Sequence, residues 1–102
     1  MYNLVVSELA HNDLDNIVSY IAERLAAPMA AVDLLDDIDR CYDHLRDNPM
    51  IYERCRDARL EMEGFRKAVI KNYILVYKVD EAAGMVTVYR FFHGTQDYAN
   101  LI

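Results

Sequence analysis

No stretch of the chain carries the roughly 18 consecutive apolar residues that a bilayer-spanning helix needs. Its opening, M-Y-N-L-V-V-S-E, lacks the basic segment and long apolar run of a cleavable secretory signal. Cysteine is scarce. Cys41 and Cys55 stand without a C-x-x-C spacing or a matching histidine, so they read as reduced cytosolic thiols rather than a disulfide or a metal site. The chain has no Gly-rich phosphate loop, no G-x-S-x-G, no H-E-x-x-H and no internal repeat. Phosphate-loop, serine-hydrolase and zinc-hydrolase chemistry therefore have no support, and no cofactor or metal is implied. Positive charge is short too: the net charge is −6, which argues against general affinity for nucleic acid, because neutralising phosphates takes clustered cations.

The charge is unevenly spread. Residues 1–53 hold three basic and eleven acidic side chains, whereas residues 54–102 hold eight basic and six acidic. Between Arg54 and Lys78 there are seven basic residues against three acidic. A local basic face on an acidic body fits this pattern, and so does a sheet face merely solvated by cations. An apolar content of 54% in 102 residues suits one folded domain spanning residues 1–102.

The stretch Gly64–Tyr98 organises the chain. Runs rich in Val, Ile, Tyr and Phe at Phe65–Lys71, Tyr73–Val79 and Met85–His93 are separated by Asn72 and by Asp80–Gly84, which predicts a three-stranded antiparallel meander. Upstream, Tyr2–Val6 has the length of a strand and Ser7 is a fitting helix cap. Ala10, Leu14, Ile17, Val18, Ile21 and Leu25 form one stripe of an amphipathic helix over Glu8–Ala26, with His11, Asp13, Asp15, Asn16 and Glu23 outward. Ala27-Pro28 breaks it. A second stripe, Ala31, Leu34, Leu35, Ile38, Tyr42 and Leu45, runs to Asn48-Pro49. Asp33, Asp36, Asp37, Asp39 and Asp43 lie opposite, without the Gly-bearing spacing of a calcium loop, and read as a solvated face. Leu14, Ile17, Ile21, Leu34, Leu35, Ile38 and Leu45 are the expected core. Pro49–Glu63 shows no period and reads as a connector whose Arg54, Arg56 and Arg59 either bind something or pair with Asp57, Glu61 and Glu63. The fold class is α+β, a two-helix hairpin on one face of a mainly antiparallel four-stranded sheet, in the order β-α-α-β-β-β. Which edge the first strand joins is left open by the pattern.

Three pieces, G-F-R-K (Gly64–Lys67), N-Y-I-L-V-Y-K-V (Asn72–Val79) and V-Y-R-F-F-H-G-T-Q-D-Y (Val88–Tyr98), resemble the RelE/ParE superfamily of bacterial toxins in this order and at this length. The resemblance covers nearly the whole chain. It implies the toxin of a type II toxin–antitoxin pair, cytoplasmic and off the membrane, neutralised by a small antitoxin as a hetero-oligomer or present as a homodimer. Two targets divide the superfamily. RelE-like members cleave mRNA on the ribosome, and ParE-like members bind DNA gyrase without chemistry of their own.

Cleavage by 2′-OH attack needs a base, cations for the phosphorane charge and an acid for the leaving oxygen. In RelE-like ribonucleases an arginine commonly follows the Tyr or His that opens the central strand, whereas here Ile74 follows Tyr73. A further cationic position just after the last strand falls near Gly94 and Thr95 and is also empty. Arg66, Arg90 and His93 remain as catalytic candidates, with Glu61 or Glu63 nearby in sequence. Lys67, Tyr73, Asp97 and Tyr98 are binding candidates. His93 can act as acid or base, or simply close its strand. Arg90 can hold phosphate, or pair with Asp97 or a helix carboxylate. The pattern Arg90, His93, Asp97 looks more like the ParE branch, so gyrase binding is the first expectation. The alternatives are an mRNA endonuclease and an inactive relative that serves only in antitoxin complexes.

Overall fold

Ser7 is where the chain turns from strand to helix. Its hydroxyl oxygen accepts from the Ala10 N–H at 3.0 Å and donates to the Tyr89 carbonyl at 2.7 Å, tying the helix start to the sheet. In the computed structural model, which describes residues 1–102, β1 (Asn3–Val6) leads into α1 (Glu8–Ser19). A π-helical turn, Tyr20–Arg24, follows, and then α2 (Pro28–Asp47). The short α3 (Ala58–Met62) precedes β2 (Phe65–Ile70), β3 (Tyr73–Asp80) and β4 (Met85–His93), and a 3₁₀ turn spans Tyr98–Asn100. The sheet order is β1-β4-β3-β2: the meander is antiparallel, and β1 lies parallel to β4 with Asn3 opposite Met85 and Val6 opposite Val88.

The expected meander and the stop at Asn48-Pro49 are present, and Pro28 opens α2 as its first residue. The first helix departs from expectation. Instead of a single α-helix to Ala26, the ladder widens after Ser19, and the Leu25 N–H reaches the Tyr20 carbonyl at 3.0 Å. That extra residue per turn shifts the stripe's phase. Ile21 stays in the core at 7% exposure while Leu25, four residues on, is 55% exposed. Ala26 then takes a left-handed φ of 49°, an uncommon conformation for a residue with a Cβ, to reverse the chain.

Between the hairpin and the sheet, Ala10, Ile21, Ala31, Leu34, Ile38 and Leu45 pack on Ala68, Ile70, Leu75, Tyr77, Val86, Val88 and Phe91. Leu14, Ile17 and Leu35, expected in that core, are only half-buried. The other sheet face is not bare. The region read as an aperiodic connector contains α3, and Cys55 and Leu60 cover Phe65, Ile74, Val76 and Phe92 in a second small core, with Tyr98, Ala99 and Ile102 against its margin. Arg59 closes that cover, donating to the carbonyls of Ala99 at 2.7 Å and Ile102 at 3.2 Å and to Glu63 at 3.0 Å. No helix is long and apolar enough to cross a membrane.

Candidate functional site

β1 ends at Val6, so the C-terminal half of β4 has no strand on its outer edge. Asp13 takes that place. Its carboxylate accepts from the Phe91 N–H at 3.0 Å, from Arg90 Nε at 2.7 Å and from Arg90 Nη2 at 3.0 Å. The sequence pattern set Asp13 toward solvent; the structure turns it inward, because the exposed strand edge and the guanidinium together supply three donors. Arg90 therefore has the helix carboxylate as its partner rather than Asp97, which accepts from Asn100 instead. Its hydrogen bonds to Asp13, with that carboxylate's charge beside it, push the Arg90 pKa up. The guanidinium lies 4.9 Å from the Phe92 ring centroid.

Tyr89 is the unpaired residue of a β-bulge: Arg90 lies opposite Val76, yet Val88 lies opposite Tyr77. The bulge keeps Arg90 on the face of Phe92, while Phe91 enters the helix-side core. Lys67 extends over that same face, 5.8 Å from the Tyr98 ring centroid, and Tyr98 lies 6.1 Å from Phe92. Lys67, Arg90 and Tyr98 are thus gathered around one aromatic ridge. Beyond it, Ser7, Leu9, Tyr89, Arg90, Leu101 and Ile102 line a mainly apolar cleft of about 340 Å³.

His93 stands at the sheet's end, its ring edge-on to Tyr73 at 5.5 Å, and with Tyr73, Arg90 and Asp13 it lines a cleft of about 190 Å³. Its Nδ1 accepts from the Thr95 N–H at 3.2 Å and lies 2.8 Å from the Thr95 hydroxyl. A backbone N–H only donates, so the neutral ring carries its proton on Nε2. Nε2 then offers a donor and no lone pair. Gly94 is held by its N–H to the Asn72 carbonyl at 2.7 Å, and a Cβ there would sit 3.2 Å from that oxygen. A side chain at the empty cationic position would need the turn to shift. Ile74, at the other such position, is buried in the second core.

Arg66 belongs to neither group. It sits opposite Tyr77, four β3 residues from the Tyr73–His93 pair, about 13 Å along the strand at ~3.3 Å per residue. Its Nη1 donates to the Tyr52 carbonyl at 2.7 Å. Arg90 and His93 therefore share a cleft, and Arg66 does not join them. Sequence reasoning missed Asp13 and Arg59 as holders of the site. Asp13's spacing marked it as solvent-facing, and only the Arg59–Glu63 spacing hinted at an ordered turn around Arg59.

The family described as ParE toxin of the type II toxin–antitoxin system parDE matches residues 4–98. None of the curated proteins compared with the sequence matches it. Among solved structures, the chromosomal ParDE system of P. aeruginosa is similar at a TM-score of 0.72 and 19% identity, covering 91% of this chain and 96% of that one. The RelBE2 toxin–antitoxin complex of Mycobacterium tuberculosis is similar at 0.63 and 18% identity, covering 90% of this chain and 96% of that one. The isolated E. coli RelE toxin follows at 0.62 and 18% identity, covering 99% of this chain and 95% of that one.

Proposed function

The chain belongs to the ParE toxin family of type II toxin–antitoxin systems, and from that premise we propose that it arrests its target, DNA gyrase, by binding rather than by cutting RNA. The observation that carries this reading is that each candidate catalytic group is already engaged by the fold. Arg66 is turned onto the Tyr52 carbonyl, Arg90 is held by Asp13, and His93 spends its Nδ1 lone pair on the Thr95 backbone. Phosphoryl transfer depends on preorganised donors around the developing charge, and one missing donor costs ~2.7–4 kcal/mol. That is roughly a hundred- to a thousandfold in rate. Ile74 and Gly94 leave two such positions without cations.

The features beside Arg90 suit a protein partner. An arginine, a tyrosine and exposed Leu9 and Leu101 surround an apolar cleft, the residue mix that anchors protein interfaces. A net charge of −6 works against docking into an RNA-lined site. Primer extension on mRNA from cells expressing the protein tests the reading, with Arg66→Ala, Arg90→Ala and His93→Ala variants alongside. No ribosome-dependent cuts are expected, and growth arrest should survive His93→Ala. Cuts that vanish with His93→Ala would place that residue at the chemistry and overturn the reading.

A further inference from the structure

β1 is an edge strand, and half of its backbone is unused. The Asn3 N–H reaches the Gly84 carbonyl at 2.8 Å and the Ser7 N–H reaches the Val88 carbonyl at 2.9 Å. Asn3, Val5 and Ser7 therefore turn their backbone groups toward β4, and Leu4 and Val6 turn theirs outward. At Tyr2 the outward N–H is taken by the Arg46 carbonyl at the end of α2, at 2.8 Å, but no segment of the fold pairs with Leu4 or Val6. Sheet edges are commonly guarded by charge, proline, a bulge or a covering segment. The β2 edge has such guards: residues 53–55 bond to Phe65 and Lys67, and Lys71 stands at its end. Asn3–Ser7 carry no charge and no proline, their pairing with β4 has no bulge, and Val5 at their centre is 43% exposed. Exposed Leu9 and Leu101 extend this apolar surface around the cleft beside Ser7.

We propose that β1 pairs with β1 of a second copy of this chain, antiparallel about a two-fold axis at Val5, so that two four-stranded sheets become one. The backbone selects the register. Leu4 of one copy lies opposite Val6 of the other and exchanges both N–H···O=C bonds with it, and the two-fold repeats the exchange. Pairing centred on Leu4 would need the Tyr2 amide, which Arg46 holds, and pairing centred on Val6 would need Glu8, which is already in α1. At the axis Val5 meets Val5 as a close apolar pair, and Asn3 faces Ser7, so no like charges meet along the strands. Each copy's net charge of −6 opposes the approach. Added salt should therefore tighten the pair, the reverse of a contact made by opposite charges. The proposal does not rest on which target the toxin binds.

The test is sedimentation velocity of the purified full chain, from micromolar to near-millimolar concentration and at low and high salt. A monomer–dimer equilibrium that tightens with salt is expected. Val5→Lys sets two cations face to face at the axis and should raise the dimer dissociation constant at least about tenfold, with circular dichroism unchanged. Val5→Thr, and Val69→Lys on the far edge of the sheet, should associate like the wild type. In the wild type, amide exchange at Leu4 and Val6 should slow as concentration rises, while Val5, already bonded to β4, stays as it was. Should Val5→Lys fail to fold, these amides decide alone. A chain that stays monomeric throughout overturns the proposal. So does a dimer that survives a folded Val5→Lys, or one that leaves the Leu4 and Val6 amides exchanging freely.

Discussion

Asp13 does the work of a missing strand. One carboxylate satisfies the Phe91 backbone and orients Arg90, and both side chains are mostly shielded from water, at 17% and 26% exposure. Asp13→Ala would strand a partly buried N–H and a guanidinium, so a loss of about 1–3 kcal/mol is expected in urea unfolding. Arg90→Ala, which leaves the Phe91 bond to Asp13 intact, should cost less. Tyrosines give a second expectation. Burial pushes Tyr42 and Tyr52 from 10.0 up to about 12 and raises Tyr77 as well, the last also hydrogen-bonded to Pro49. A group raised in the folded state contributes its full stability below its unfolded value and loses it as pH climbs toward the folded one. Stability should therefore hold to about pH 10 and fall from there toward pH 12. Tyrosinate absorbance should show these three of the eight tyrosines ionising late, together with unfolding. All three titrating with the exposed tyrosines would contradict the packing around α2.

At the scale of elements, the π-helical turn separates two residues that periodicity treats alike. Ile21→Ala should destabilise by about 2–5 kcal/mol, as buried aliphatic truncations do. Leu25→Ala should change stability by less than about 0.5 kcal/mol, as surface substitutions do. Equal losses would mean that the stripe continues as an α-helix. The contrast also marks what a sequence can convey. Strands and turns of the meander were legible because runs rich in Val, Ile, Tyr and Phe are separated by Asn72 and by Asp80–Gly84. The helices were legible from their stripes and from Pro28 and Pro49. The π turn was not, since a one-residue change in hydrogen-bond spacing leaves composition and periodicity up to Ile21 untouched. Nor was α3, whose five residues are too few for a period to emerge. The strand alternation placed Arg66 and Lys67 on opposite faces, but Asp13's inward turn depends on where β1 stops relative to β4, a long-range register that local pattern does not encode.

Taken as a molecule, the protein joins an acidic helical layer to a sheet whose cations are mostly engaged. Lys71 pairs with Asp37, Lys67 with Glu53, Arg59 with Glu63 and Arg90 with Asp13. On the proposed reading, toxicity comes from binding gyrase and not from cutting RNA. The most direct measurement adds the purified protein to purified gyrase and relaxed plasmid with ATP and, in parallel, to ribosomes programmed with a defined mRNA. Supercoiling should be inhibited or gyrase-bound DNA breaks should accumulate, Arg90→Ala should weaken this effect, and the mRNA should stay intact. Intact gyrase activity together with ribosome-dependent mRNA cuts would contradict that reading.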